Sequence, residues 1–328
     1  MNQFRVGMIG LGAIGYRIAK AFAGHPASRV TVVCDTNEEL ARRVATEVGA
    51  ERWVTDYRAM LDDDRVDLVY VGVPPRLHKQ MAFDVMDAGK QILCEKPLAL
   101  TLDEAEAMAA KARETGAVTM VNLPMHRSAG VQALREQLAA GYLGQFRRGE
   151  LNLVFPQWPR GWQQNTWIGK REQGGPVREV GPHLFHMIMQ LFGPIARVRA
   201  DMEYPSDPEA SEIGAFGALE LEQGGVITVS ALCGVDRQEQ VSLTLYGTEG
   251  TLGLVNWDKP VGARGAGPLE PLPVEDGYWV SPVELLARAM QGKPVDLPTF
   301  EAGLAIQRVL DAWERAAASG GWERVRQG

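Results

Sequence analysis

The chain has 328 residues, 45% of them apolar and 23% charged, which is enough to bury about two cores at ~150 residues per domain and argues against disorder. A net charge of −7 leaves no basic face for nucleic acid, and no run of about 18 apolar residues suggests a membrane span. Three widely spaced cysteines, Cys34, Cys94 and Cys233, form neither a disulfide framework nor a Cys/His metal cluster. Buried free thiols and a reducing, cytoplasmic setting are expected, the more so because Met1–Arg5 runs into a strand pattern without signal-peptide architecture.

An apolar strand, Phe4–Ile9, leads into Gly10-Leu11-Gly12-Ala13-Ile14-Gly15 and then into a helix with Ile18, Ala19, Phe22 and Ala23 on one face. Strand, glycine-rich turn and helix form a dinucleotide-binding fingerprint. Gly10 permits the turn, Gly12 the approach of a pyrophosphate, and Gly15 close packing of helix on sheet, while the backbone at Ala13 and Ile14 opens the helix. The second strand, Arg29–Cys34, ends in Asp35, 20 residues after Gly15, where a carboxylate can accept from both adenosine-ribose hydroxyls and repel a 2′-phosphate. With no arginine following it, Asp35 favours NAD over NADP. It could also cap the helix expected over Asn37–Val48. Tyr57–Leu61 continues the alternation, Asp62–Asp64 is a solvated turn, and Val66–Val73 is a strand closed by Pro74-Pro75. A helix from Arg76 to Ala88, a strand at Ile92–Glu95, a helix over Leu102–Thr115 and a strand at Ala117–Val121 follow. Strands alternating with helices predict a parallel, doubly wound sheet.

Near residue 122 the pattern changes. A helix over Ala129–Ala140, a strand at Phe146–Phe155, an irregular stretch over 156–176 and a helix over 182–191 precede five alternating runs. These are Ala196–Met202, Gly214–Leu221, Val226–Leu232, Gln240–Tyr246 and Thr251–Val255. Their short connections require antiparallel neighbours. Residues 256–277 read as a polar Gly/Pro loop, with helices over 280–291 and 301–318. The expected fold class is α/β: a doubly wound parallel sheet over 1–122, then an α+β domain over 123–328 with a mostly antiparallel open sheet. The C-terminal helices could pack back on the first domain.

Two stretches carry chemistry. Glu95-Lys96-Pro97 ends an apolar strand at the sheet's carboxyl edge, where open α/β sheets bind ligands, and Pro97 stops that strand. The Lys96–Pro97 bond is a candidate for cis geometry. The second stretch is Gly174-Gly175-Pro176 through His186. Glu179 and His183 are four apart, so if the turn is helical the carboxylate can orient the imidazole as a general base for removing a hydroxyl proton. A helix-start histidine capped by Glu179 is the simpler alternative. His183 and His186 could also ligate a metal, but no third ligand is near and none is expected. Trp158, Trp162 and Trp167 crowd a polar stretch with Gln157, Arg160, Gln163, Gln164 and Asn165. Such rings can stack on a sugar, Trp167 being the best placed, or simply pack against a sheet.

Together the Gly10–Gly15 loop, Asp35, Pro74-Pro75 with Leu77-His78, Gly89-Lys90 ahead of Cys94-Glu95-Lys96-Pro97, Gly174-Gly175 ahead of His183, and Pro298-Thr299-Phe300-Glu301 resemble the glucose–fructose oxidoreductase/inositol dehydrogenase/MocA family. The resemblance covers essentially the whole chain. It implies NAD contacts from Pro74, His78, Glu95 and Lys96, a Lys96 that binds and polarises the substrate oxygen, and His183 as the base with an acid four residues before it. It also implies substrate contacts from Arg127 after the sixth strand and from the position of His186. Two residues depart from the family pattern: Glu179 and His186 stand where members commonly have Asp.

The resemblance implies oxidation of a secondary or anomeric hydroxyl of a polyhydroxylated small molecule, a sugar or cyclitol, by hydride transfer to nicotinamide. It also implies a homodimer or homotetramer formed through the C-terminal sheet. An NAD-using glycosidase that oxidises and re-reduces its substrate is the alternative, and a non-catalytic nucleotide-binding regulator is a third class.

Overall fold

A computed structural model describes residues 3–163, 165–275 and 280–327, so Gln164 and residues 276–277 of the expected loop lie outside the described residues. The chain forms two compact units, Met1–Asn122 with Ser281–Gln307, and Leu123–Val280 with Arg308–Gly328.

The first unit runs β1 (Phe4–Ile9), α1 (Ala13–Ala23), β2 (Ser28–Cys34), α2 (Glu38–Val48), β3 (Arg52–Val54), α3 (Arg58–Leu61), β4 (Leu68–Val71), α4 (His78–Asp87), β5 (Gln91–Cys94), α5 (Leu102–Thr115) and β6 (Thr119–Val121). The six strands are parallel in the order β3-β2-β1-β4-β5-β6. Helices cover such a sheet on both faces, so β4 reads as an unbroken apolar run, buried throughout. The chain reverses direction across the sheet between β1 and β4, which opens the crevice where ligands bind in this architecture. Strand β3 escapes the sequence reading because it is only three residues long and half-exposed. The strand before Glu-Lys-Pro also ends one residue early, at Cys94. The Glu95 N–H still continues the ladder to the Val71 carbonyl (2.9 Å), and Lys96 sits in a bend. The Lys96–Pro97 bond is cis, as is Trp158–Pro159.

The second unit contains α6 (Ala129–Ala139), β7 (Phe146–Phe155), α7 (Pro176–Phe192), β8 (Ile195–Glu203), β9 (Gly214–Leu221), β10 (Val226–Cys233), β11 (Gln240–Gly247), β12 (Gly250–Val255), β13 (Lys259–Arg264) and β14 (Glu270–Pro271). Helix α8 (Pro282–Met290) and the start of α9 (Phe300–Ser319) belong with the first unit. The rest of α9 and β15 (Trp322–Arg324) belong with the second. The nine-stranded sheet has the order β14-β13-β12-β11-β7-β10-β9-β8-β15. It is antiparallel except between β7 and β10, which run parallel at its centre. One face packs on helices: Trp313 of α9 is fully buried, 6.0 Å from the Phe185 ring of α7, and a Cβ on Gly217 of β9 would lie 2.6 Å from its indole. The other face is open and carries Phe216, Leu232 and Tyr246, of which Phe216 is 63% exposed.

Two boundaries differ from the sequence reading. The expected loop after β12 contains β13 and β14; Gly262 in β13 leaves room for Tyr142 and Leu272, so the glycine that suggests a loop is there for packing. Helix α7 begins at Pro176 and runs through Pro182. Pro182 removes one N–H bond to the preceding turn, but the buried face of Val177, Val180, Leu184, Phe185 and Ile188 keeps the helix intact. No helix among the described residues is long and apolar enough to cross a membrane. All three cysteines are buried free thiols.

Candidate functional site

Along the carboxyl edge of the first sheet, each glycine of the fingerprint has a different neighbour. Gly10 has φ +84°, and a Cβ there would sit 2.2 Å from the Gly72 carbonyl oxygen. A Cβ on Gly15 would sit 2.0 Å from the Gly10 oxygen. These two positions are closed by the protein itself. Gly12 is different: a Cβ there meets nothing within 4 Å, and Gly12 and Ala13 are exposed with Ile14 half-exposed beside them. Helix α1 starts at this point with no side-chain cap and no acid in its first turn. Its free N–H groups and positive end suit an anion, so the loop fits a dinucleotide pyrophosphate.

Asp35 is tied to the same loop. Its Oδ2 accepts from the Leu11 N–H (2.8 Å) and its Oδ1 from the Asn37 N–H (2.9 Å), while Asn37 caps α2 through the Leu40 N–H. The carboxylate is thus fixed beside the glycine loop and does not cap α2. Each oxygen keeps a lone pair for a ribose hydroxyl.

Glu95 is buried at the end of β5. Its Oε1 accepts from Tyr70 Oη (3.0 Å) and Asn122 Nδ2 (2.6 Å), and its Oε2 lies 3.3 Å from the Lys96 N–H. Burial pushes the Glu95 carboxyl up, opposed first by the charge of Lys96. These bonds fix the backbone from which Lys96 extends, half-buried, from the sheet edge. Pro74 is half-exposed at the same edge, ahead of a 3-10 turn. His78 corrects an expectation. It is fully buried, with Nδ1 3.0 Å from the Pro97 oxygen and 3.2 Å from that of Leu98, and with Nε2 2.8 Å from the Val73 oxygen. Both nitrogens face backbone carbonyls, so neither can serve a cofactor. The ring ties the segment after β4 to the Glu-Lys-Pro turn, and burial holds it toward the neutral form.

In the second unit, the continuous helix α7 puts Glu179 and His183 on one face, one turn apart, with Glu179 buried and His183 half-buried. His186 points elsewhere. It is buried and stacked on His126 (ring centroids 5.2 Å apart), with Nε2 3.0 Å from His126 Nδ1. Gln190 Nε2 also lies 2.8 Å from that Nδ1. An amide nitrogen only donates, so His126 Nδ1 accepts and His186 carries its proton on Nε2. Burial, then the charges of His126 and Arg135, push His186 down to about 3. The substrate contact expected of His186 is replaced by this internal bond. Among the described residues no cluster of three or more His, Cys, Asp or Glu could hold a metal.

Arg127 ends a 3-10 turn, Pro124–Arg127, with its buried Nε lacking a hydrogen-bond partner. Trp167 is half-buried in a single 3-10 turn and Trp158 bonds the Ile168 oxygen, whereas Trp162 is 43% exposed. Arg160, in the sequence only a polar neighbour of the tryptophans, gathers Trp158 and Trp162 around itself. Its guanidinium lies within 6 Å of the rings of Phe155, Trp158, Trp162 and Trp257, nearest to Trp162 at 4.7 Å. Burial pushes it down, opposed by the carboxylates of Glu239 and Glu179. Trp257, at φ +73°, donates Nε1 to Glu239 at 3.0 Å. Arg160 thus brings a positive charge and an aromatic enclosure to the neighbourhood of Glu179.

Residues 4–123 match a family model described as an oxidoreductase family with an NAD-binding Rossmann fold, and residues 131–253 match the C-terminal domain of the same family. The chain belongs to the Gfo/Idh/MocA family. It is therefore an oxidoreductase that uses NAD. Members similar to it include D-glucoside 3-dehydrogenase of Escherichia coli (25% identical, covering 97% of both chains) and 1,5-anhydro-D-fructose reductase of Ensifer adhaerens (27%, covering 100% of both). Levoglucosan dehydrogenase, solved in complex with NADH and levoglucosan, shares the fold with a TM-score of 0.89 at 22% identity, over 99% of this chain and 100% of that one.

Proposed function

We propose that this family member oxidises a secondary or anomeric hydroxyl of a sugar or cyclitol. The observation that carries the reading is the shared helical face of Glu179 and His183, a buried carboxylate one turn before an accessible imidazole. The sugar-directed activities named for its relatives support the substrate class. The first unit binds the cofactor through Gly10, Gly12, Ala13, Ile14, Gly15, Asp35 and Pro74, and the second binds the substrate. When bound, NAD supplies the hydride acceptor. Lys96 holds and polarises the substrate oxygen, whose negative charge grows as its proton leaves and is relieved as the hydride departs. His183 accepts the hydroxyl proton, oriented by Glu179, so the carbonyl product forms as the C–H bond's electron pair leaves with the hydride. Arg127 and the half-buried Trp167 are the substrate contacts. The Asp35 carboxylate disfavours a 2′-phosphate.

The test is a panel of sugars and cyclitols with NAD and with NADP, read by absorbance of the reduced cofactor. At least one substrate is expected to reduce NAD, with kcat/KM about tenfold or more above that with NADP, roughly 1.4 kcal/mol. Aglycone release from glycosides with no net reduced cofactor would replace this reading by the glycosidase one. NAD binding with no turnover of any kind would point to a regulator.

The open sheet face with Phe216, Leu232 and Tyr246 supports self-association as a homodimer or homotetramer. Light scattering is expected to give a multiple of the single-chain mass, and Phe216→Glu to reduce it; a single-chain mass in the wild type would refute this. The buried free thiols suit a cytoplasmic setting.

A further inference from the structure

Helix α7 carries the proposed base and its carboxylate partner, yet its own first residues cannot cap it. Gly175 has no side chain and Pro176 has no N–H. The capping oxygen comes from 35 residues downstream. Glu212, just before β9, is 3% exposed, and its Oε1 accepts from the Val177 N–H at 2.9 Å. Gly175 makes room for this, and Gly174 lets the preceding turn approach beside it. A Cβ on Gly174 would sit 2.2 Å from the Ile168 oxygen, and one on Gly175, at φ +109°, would sit 2.2 and 2.6 Å from the two oxygens of Glu212. Gly175 thus lets a carboxylate press against the positive end of a 17-residue helix. Val177 lies two residues before Glu179, so the same bond fixes where the helix starts and which way Glu179 and His183 project.

We infer that Glu212 is a positioning residue: by capping α7 it sets the register of Glu179 and His183, and its charge is part of that setting. The inference rests on the proposed roles of those two residues. The ionisable groups around Glu212 include Arg178 on α7, Glu314 on α9, Tyr204 after β8, Cys233 in β10, and Arg171, which stacks on Tyr204. Arg178 is committed to Glu314 and to the carbonyls of Arg171 and Glu172, so it does not neutralise Glu212 by direct contact. A cavity of about 350 Å³, lined by Arg171, Arg178, Tyr204, Glu212, Trp313 and Glu314 among others, borders the carboxyl. Burial pushes Glu212 up to about 7. A carboxyl raised in the folded state favours its protonated form there. Its contribution to stability is therefore full below the unfolded value, near 4.5, and is lost as pH rises through about 7.

The test compares wild type with Glu212→Gln, which keeps an acceptor oxygen without a titrating charge, and Glu212→Ala, which keeps neither. Amide exchange of peptides covering residues 174–185 and thermal melts from pH 5 to 8 need no turnover. Glu212→Ala is expected to speed exchange in the first turn of α7 and to lower kcat roughly ten- to a hundredfold, the scale of a small misplacement of catalytic groups. Glu212→Gln is expected to restore most of both. It should also lose a titration near neutrality from the kcat profile, and gain thermal stability relative to wild type as pH rises from 5 to 8. Unchanged exchange in α7 in Glu212→Ala, or identical kcat–pH profiles for wild type and Glu212→Gln, would overturn the inference. Should Glu212→Ala fail to fold, the glutamine variant decides. If no sugar is oxidised by the wild type, the functional reading fails on its own, and unaltered α7 exchange is then what removes the role of Glu212.

Discussion

Lys96→Ala is expected to lower kcat by about 10²–10³ while leaving NADH affinity within a few-fold of wild type. The magnitude follows from removing one preorganised charge from an oxygen that becomes anionic during reaction. The preorganisation is visible in the structure. Tyr70 and Asn122 hold Glu95, His78 ties down the turn at Pro97 and Leu98, and the Lys96 side chain leaves a backbone with little freedom. The glycine loop and Asp35, the proposed cofactor contacts, do not depend on the lysine ammonium. Steady-state kinetics and fluorescence titration with NADH separate the two quantities. Sugar oxidation by the variant at the wild-type rate would remove Lys96 from the chemistry, and lost NADH binding would make it a cofactor ligand instead.

His183→Ala should cost about 10²–10⁴ in kcat, the range for a general base. The loss should be partly reversed by added imidazole, which can occupy the vacated space and accept the proton. Rescue discriminates between roles, because a histidine that merely capped or packed α7 would not be replaced by a free base in solution. The comparison variant is His186→Asn. Its ring is spent on His126, so substrate KM is expected to change little even if stability falls. A His183→Ala enzyme with near-normal kcat, or a His186→Asn enzyme with the larger kinetic defect, would reverse the two assignments.

What could be read from the sequence were features whose physics is local. Gly10, Gly12, Gly15 and Asp35 lie within one strand–turn–helix–strand unit, so their spacing alone describes their geometry. That Glu179 and His183 share a face needs only a helix through residue 179. The helix boundary was misplaced because Pro182 looks like a start and becomes an interior residue only once the buried face of α7 is packed. The resemblance implies ligand contacts for His78 and His186, but long-range partners occupy both rings. Their partners lie at Pro97 and His126, 19 and 60 residues away. Arg160 was hidden among tryptophans whose enclosure includes Trp257 from a different hairpin. Glu212, inconspicuous in a polar segment, gains its meaning from the Val177 N–H 35 residues earlier, beside Gly175.

The central position of β7 bears on how the chain comes to be folded. Its neighbours β10 and β11 are both distant in sequence: Gly149 and Thr228 are 79 residues apart, and Glu150 and Tyr246 are 96 apart. Hairpins such as β11–β12 can close at once, but the ten-residue β7 has nothing beside it until those later strands exist. At a synthesis rate of about 5–20 residues per second, the wait is roughly 5–20 s. For that interval Leu151, Leu153 and Phe155, buried in the finished sheet, have no cover from their strand partners. In a nascent chain β7 is therefore the strand most open to capture by a chaperone or by another copy of itself.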